Sequence, residues 1–206
     1  MSATKHWDGP GLEAWEPWSP QIVASLLAGT DAPWCIVGGW AIDLFLGRPT
    51  RAHEDIEIGV AAPFYASVLS RLNGYALHSV GDGEVRRMAA GESLPADQHQ
   101  CWVLDETANK WRLDVMCEPG DRGTWQCRRD ARIAVPRARI VAVSSDGIPY
   151  LRPEGALLFK AKAARPKDET DFANCLPAMD AGARQWLRDA LTLVHPGHAW
   201  LGRLDG

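Results

Sequence analysis

The sequence contains few of the features that mark membrane, secreted or nucleic-acid-coating proteins. No apolar run in its 206 residues approaches the roughly 20 that a membrane-spanning helix needs, and residues 1–16 hold no signal-peptide apolar segment. Cysteines number five, an odd count with no C-x-x-C pair, so the expectation is reduced thiols in a cytoplasmic protein. Positive charge is also short: 22 Lys and Arg stand against 26 Asp and Glu, for a net charge of −4 and a pI near 5.9. Such a chain has no bulk attraction for nucleic acid, and any polyanion must be met by a local basic patch. There is no G-x-S-x-G and no Cys–His signature of a covalent nucleophile. His195 and His198 are two zinc-ligand types without two partners at matching spacing, so a structural loop is expected there. Repeats and low-complexity tracts are absent. With 46% apolar and 23% charged residues, the composition is that of an ordinary globular chain long enough to bury a core.

The informative content is concentrated in residues 34–60, WCIVGGWAIDLFLGRPTRAHEDIEIGV. Cys35, Ile36 and Val37 form a short β-prone run that stops at Gly38 and Gly39. Residues 40–46 carry apolar side chains at helical spacing, and Gly47 suits the left-handed position that ends a helix. Two glycines at a strand-to-helix turn let a ligand approach the backbone. They also leave N–H groups free at the positive end of a helix, an arrangement that favours phosphate. A basic loop follows, and then a strand over residues 54–60. Its period of two puts Ile56, Ile58 and Val60 on one face and Asp55 with Glu57 on the other. Two such residues have Cα atoms roughly 6.7 Å apart, close enough for their carboxylates to converge on one or two divalent ions. Mg²⁺ is the hard cation that carboxylates and substrate phosphates share.

The set GGWAID at 38–43, GR at 47–48, TR at 50–51 and HEDIE at 53–57 resembles the nucleotidyltransferase superfamily of the DNA polymerase β type. Within it, the likeness is closest to small aminoglycoside 2''-adenylyltransferase-like proteins. The resemblance implies an α/β (α+β) fold, with a small mixed sheet and flanking helices followed by a C-terminal helical part. It also implies Mg²⁺-dependent transfer of an NMP group from an NTP, ATP foremost, to a hydroxyl of a small molecule such as an aminoglycoside or lincosamide antibiotic. Asp55 and Glu57 are then the expected metal ligands. The family places a third acidic residue on a neighbouring strand, and that role falls to Asp114 as a third ligand or as general base. Glu57 stands where an Asp is commoner, a longer reach that Mg²⁺ tolerates. For a polycationic acceptor, Glu84, Glu92, Asp97, Glu118 and Asp121 are available carboxylates, but none matches a family motif.

Gly38 and Gly39 are expected to hold the β- and γ-phosphates, with Arg51 and His53 contacting the triphosphate. Structural roles compete: His53 as a cap on the strand, Asp43 as a pin on the short helix, Trp40 as a core residue. Lys160 and Lys162 flank the apolar face of a later helix, and Lys160 is the expected phosphate cation, although the helix period does not choose between them.

The rest of the chain divides into three expected parts. Residues 1–18, rich in Trp and Pro, read as a tail lying on the domain through its indoles, with a substrate lid as the alternative. Residues 19–150 form the nucleotidyltransferase domain. It includes a helix from Gln21 to Ala28, another from Phe64 to Leu72, and a hairpin over 100–104 and 110–118 that puts Asp114 on one face with Arg112 and Met116. Residues 151–206 form a helical part with a break at Pro166 and a final helix capped by Asp180. Five arginines between 128 and 139 read as a sheet-edge region or as a patch for RNA or polyphosphate. Two other functions stay open: a toxin-like enzyme of the same class acting on RNA or protein, and a non-catalytic nucleotide-binding module. Nothing in the sequence sets the base preference or the oligomeric state.

Overall fold

The computed structural model describes residues 9–204, so Trp7 and the rest of segment 1–8 of the expected tail lie outside the described residues. An eight-stranded mixed sheet carries the fold. Its strands are β1 (Trp34–Ile36), β2 (Glu57–Ala61), β3 (Ala76–Gly81), β4 (Glu84–Arg87), β5 (Gln100–Asp105), β6 (Lys110–Glu118), β9 (Val141–Val143) and β10 (Pro149–Leu151). They run in the order β4-β3-β5-β6-β2-β1-β10-β9. Strands β7 (Thr124–Gln126) and β8 (Ala134–Pro136) form a separate two-stranded ribbon. Helices α1 (Pro20–Leu26), α2 (Gly38–Leu46), α3 (Tyr65–Leu69), α4 (Arg137–Ile140), α5 (Pro153–Lys160), α6 (Pro166–Cys175) and α7 (Ala181–Val194) complete the chain.

Local chemistry explains most of these boundaries. Ser19 accepts from the Ile22 N–H ahead of Pro20 to start α1, and the Asp180 carboxylate accepts from the Ala183 N–H to start α7. Gly47 ends α2 in the left-handed region at φ 65°. Strand β4 pairs back onto β3 through Asp82 and Gly83, both at positive φ (51° and 77°), the backbone that a tight right-twisting hairpin requires.

Side-chain alternation divides the sheet into two faces. Ile36, Ile56, Ile58, Val60, Leu113 and Val115 pack with residues of α1 and α3 in one apolar cluster. Cys35 and Val37 point to the other face and pack with α5, α6 and α7. Glu57 and Asp114, at odd register to the first set, therefore turn toward the side of the C-terminal helices. That orientation places the acidic residues.

Three sequence expectations need correction. Strand β2 begins at Glu57, so Asp55 precedes the strand and is exposed instead of lying inside it. The two glycines are the first residues of α2, not a turn ahead of it. The arginine band is neither a sheet edge nor one patch: Arg132 pairs with Asp130 in solvent, Arg137 is buried, and Arg128 and Arg129 turn into a cleft.

Candidate active site

The parallel pairing of β2 and β6 sets Glu57 directly opposite Asp114. Both carboxylates stand on the same sheet face, adjacent in the hydrogen-bonding direction, where strands lie about 4.8 Å apart. Asp114 is buried. Its Oδ2 accepts from the Trp102 indole N–H at 3.1 Å, while its Oδ1 is buried with no hydrogen-bond partner. Burial, then the Glu57 charge, pushes the Asp114 carboxyl well above the usual carboxylate range. Burial, then the nearby Asp55 charge, lifts Glu57 from its ordinary 4.5 to about 7. Burial and neighbouring acidic charge thus raise the affinity of Glu57 and Asp114 for a proton, and equally for a cation.

The first turn of α2 lies beside this pair. Gly38 has φ +65°, and a Cβ there would overlap the Glu57 carboxylate. Gly39 faces the next loop, and a Cβ on it would sit 2.5 Å from both Arg51 Nη2 and His53 Nδ1. Bare backbone is therefore required at both positions because side chains already crowd them. The loop itself is anchored. His53 Nε2 lies 2.6 Å from Asp43 Oδ2, and Asp43 Oδ1 accepts from both the Thr50 N–H and hydroxyl. The Trp40 ring packs on His53 at 4.7 Å and donates its indole N–H to the Asp55 carbonyl. Asp43 acts here as a pin, Trp40 is half-buried, and His53 is held by Asp43.

Lys160 lies in the same cleft but is already bonded: its Nζ is 2.8 Å from Asp171 and 3.5 Å from Asp168, both fully buried. Asp171 also takes two hydrogen bonds from Arg51, at 3.1 Å each. Burial alone would raise the Asp171 pKa; the Arg51 and Lys160 bonds outweigh it and hold the group ionised. Lys162 is exposed. A cleft of about 270 Å³ opens beside Gly38, Glu57 and Lys160 and is lined also by Glu118, Arg128 and Arg165. Of the five candidate acceptor carboxylates, only Glu118 lines this cleft; Glu92 pairs with Arg86, and Asp121 caps its own turn. Burial raises the Glu118 pKa, and Trp125 donates to its Oε2 at 3.2 Å. Arg128 Nη1 is buried without a partner.

Sequence reasoning saw Arg128 only as one of a band of five arginines and missed Trp102 and the Asp168–Asp171 pair. The pair carried a signal, two carboxylates three residues apart on one helix.

Among the described residues, no three His, Cys, Asp or Glu side chains are drawn up as a ready-made metal centre. The arrangement nevertheless fits Mg²⁺, which is typically held by one or two protein carboxylates with substrate phosphates and water completing the shell. The unpartnered Asp114 Oδ1, the raised Glu57 and the neighbouring Asp55 supply hard oxygen donors, and the charges of Lys160, Arg128 and Arg165 offset the burial of Glu57 only in part.

A mixed sheet with paired carboxylates facing a glycine-initiated helix defines a nucleotidyltransferase fold and an enzyme of that class. The family model described as Aminoglycoside-2''-adenylyltransferase matches residues 21–174, and the chain belongs to that family. Solved structures agree on the fold. The lincosamide antibiotic adenylyltransferase LnuA, lincomycin-bound, superposes with a TM-score of 0.52 at 19% identity, over 75% of this chain and 92% of that one. ANT(2")-Ia, in complex with adenylyl-2"-tobramycin, gives a TM-score of 0.55 at 16% identity, over 84% and 95%. No curated protein matches the sequence.

Proposed function

We propose that the chain transfers an NMP group from an NTP, ATP first among candidates, to a hydroxyl of a small molecule in a Mg²⁺-dependent reaction. The observation that carries this is the Glu57–Asp114 pair across β2 and β6, with Asp114 Oδ1 free and the N-terminus of α2 alongside. In this reading residues 19–150 supply the transferase site, and residues 151–206 close it with Lys160 and its anchors. The bound ion would neutralise charge building on the α-phosphoryl oxygens. Asp55, Glu57 and Asp114 would hold it.

The chain's own residues do the rest. The N–H groups of Gly38 and Gly39 receive the β- and γ-phosphates at the helix N-terminus, flanked by Arg51 and His53. Arg128, with a buried N–H unbonded, and Lys160 add positive charge to the wall. Asp114 accepts the proton of the acceptor hydroxyl as that oxygen bonds to the α-phosphorus; the bond to the β-phosphate oxygen breaks and pyrophosphate leaves with the electron pair. A raised pKa makes Asp114 a stronger base than an ordinary carboxylate. Phosphoryl transfer of this kind depends mainly on positioning and charge.

An antibiotic acceptor is supported by the family and by the lincomycin and tobramycin groups carried by the two similar structures. Glu118, in the cleft beyond Glu57, is the carboxylate placed to meet an amine of such an acceptor. A cytoplasmic location follows from the NTP requirement and agrees with five free cysteines. The test is pyrophosphate release from each NTP with Mg²⁺, in the presence of tobramycin, lincomycin or tRNA. Release with a drug supports the reading, and release with tRNA alone would transfer it to the RNA-modifying alternative. No release, together with no Mg²⁺-dependent thermal stabilisation by any NTP, would leave a scaffold without catalysis.

A further inference from the structure

The hairpin β5–β6 does more than carry Asp114. Trp102 sits directly opposite Asp114 in the register, so the two side chains share one face. The indole N–H donates to Oδ2 at 3.1 Å, while the other oxygen of this carboxylate, Oδ1, is buried without a partner. A carboxylate on a two-bond side chain otherwise rotates freely. One fixed oxygen selects its rotamer and decides which lone pairs turn toward Glu57.

Trp102 is itself held in place. Its ring meets Trp111 edge-on at 5.2 Å and Trp15 edge-on at 5.1 Å. Trp15 belongs to the N-terminal segment, which is tied down by backbone bonds from Trp111 N–H to Ala14 and from Glu16 N–H to Trp111, and by the Trp111 indole bond to Gly11. Strand β5 covers one flank of β6, so this segment occupies the opposite flank at residues 111–112, ahead of the point where β2 takes over at 114. A three-indole block thus stands behind one hydrogen bond to the reacting carboxylate.

We infer that Trp102 is the positioning residue for Asp114, fixing Oδ1 as the oxygen that meets the acceptor proton or the ion, with Trp15 as its backing. This rests on the nucleotidyl-transfer reading above for its kinetic consequence, but not for the bond itself. Trp102→Phe keeps an aromatic ring on this face and removes the N–H donor together with the second ring of the indole. Because Trp102 is half-buried, the variant is expected to fold, and its Tm is measured as a control.

Two readouts separate the outcomes. In a ¹H–¹⁵N spectrum, the Trp102 indole resonance is the one lost in Trp102→Phe. It is expected to move in Asp114→Asn and on addition of Mg²⁺ with a non-hydrolysable ATP analogue. In turnover with ATP and tobramycin or lincomycin, Trp102→Phe is expected to lower kcat about tenfold with KM for ATP within about twofold, the pattern of an interaction used in the transition state. An indole resonance indifferent to Asp114→Asn, or a wild-type kcat in Trp102→Phe, overturns the inference. A wild-type enzyme inactive on both drugs sinks those acceptors instead, and the spectrum still decides the role of Trp102.

Discussion

Replacing Glu57 with glutamine removes one of two carboxylates adjacent across β2 and β6 while keeping its shape. In the native protein, burial and Asp55 lift the Glu57 pKa from 4.5 to about 7, so the folded state favours the protonated form. The sign follows from linkage. The contribution of Glu57 is complete below 4.5 and is lost as pH climbs through about 7. A gap of roughly 2.5 corresponds to about 3 kcal/mol at most; partial exposure of the side chain lowers it to roughly 1–3 kcal/mol, or about 3–10 °C in Tm for a chain of this size. Glutamine does not ionise, and its loss of charge also relieves Asp114, which Glu57 pushes upward. Metal-free Glu57→Gln should therefore match the wild type near pH 5 and exceed it at pH 8. The relief of Asp114 acts in the same direction, and titrations of groups that do not sense Glu57 cancel in the difference. Mg²⁺ at pH 8 should raise the wild-type Tm and leave the variant unmoved, because only the wild type gains a ligand. Thermal unfolding followed by circular dichroism from pH 5 to pH 8, with and without Mg²⁺, measures both. A Tm difference independent of pH would refute the claim that burial and Asp55 hold this carboxylate above its ordinary pKa.

Three further outcomes can be measured on the same preparation. Asp55→Asn should abolish pyrophosphate release while leaving the fold intact or slightly more stable; wild-type turnover would remove Asp55 from the site. Gly39→Val would thrust a branched side chain against Arg51 and His53, 2.5 Å from where its Cβ must lie, and NTP affinity by calorimetry should fall at least about tenfold. Normal affinity in that variant would contradict a phosphate cradle at α2. Arg128→Gln should weaken NTP binding about tenfold with Tm nearly unchanged, since its Nη1 makes no bond within the protein; a large stability loss with unaltered affinity would make Arg128 a structural residue.

The sequence alone determined the elements whose causes are local. The Gly47 end of α2, the caps at Ser19 and Asp180, and the hairpin over 100–118 follow from backbone preference and hydrophobic period, which act over a few residues. The alternation in β2 likewise sent Ile56 and Ile58 to the core and Glu57 to the opposite face. Asp43 as a pin was also legible, because a buried carboxylate at a helix end seeks nearby donors. What the tertiary structure decided lies where distant segments meet. Counting from the Asp105–Lys110 end would set Leu113 against Trp102; a register shift at Val103/Leu104 brings Asp114 there instead. The parallel pairing of β2 with β6 aligns Glu57 with Asp114 across a gap of more than fifty residues in the chain, a register that no local pattern encodes. Arg128, spaced like an edge charge, is turned inward by the β7–β8 ribbon, and Asp171 reaches back to clamp Arg51 and Lys160 together. Side-chain period is a property of one strand or helix; which charges end up without a partner depends on how those elements are stacked.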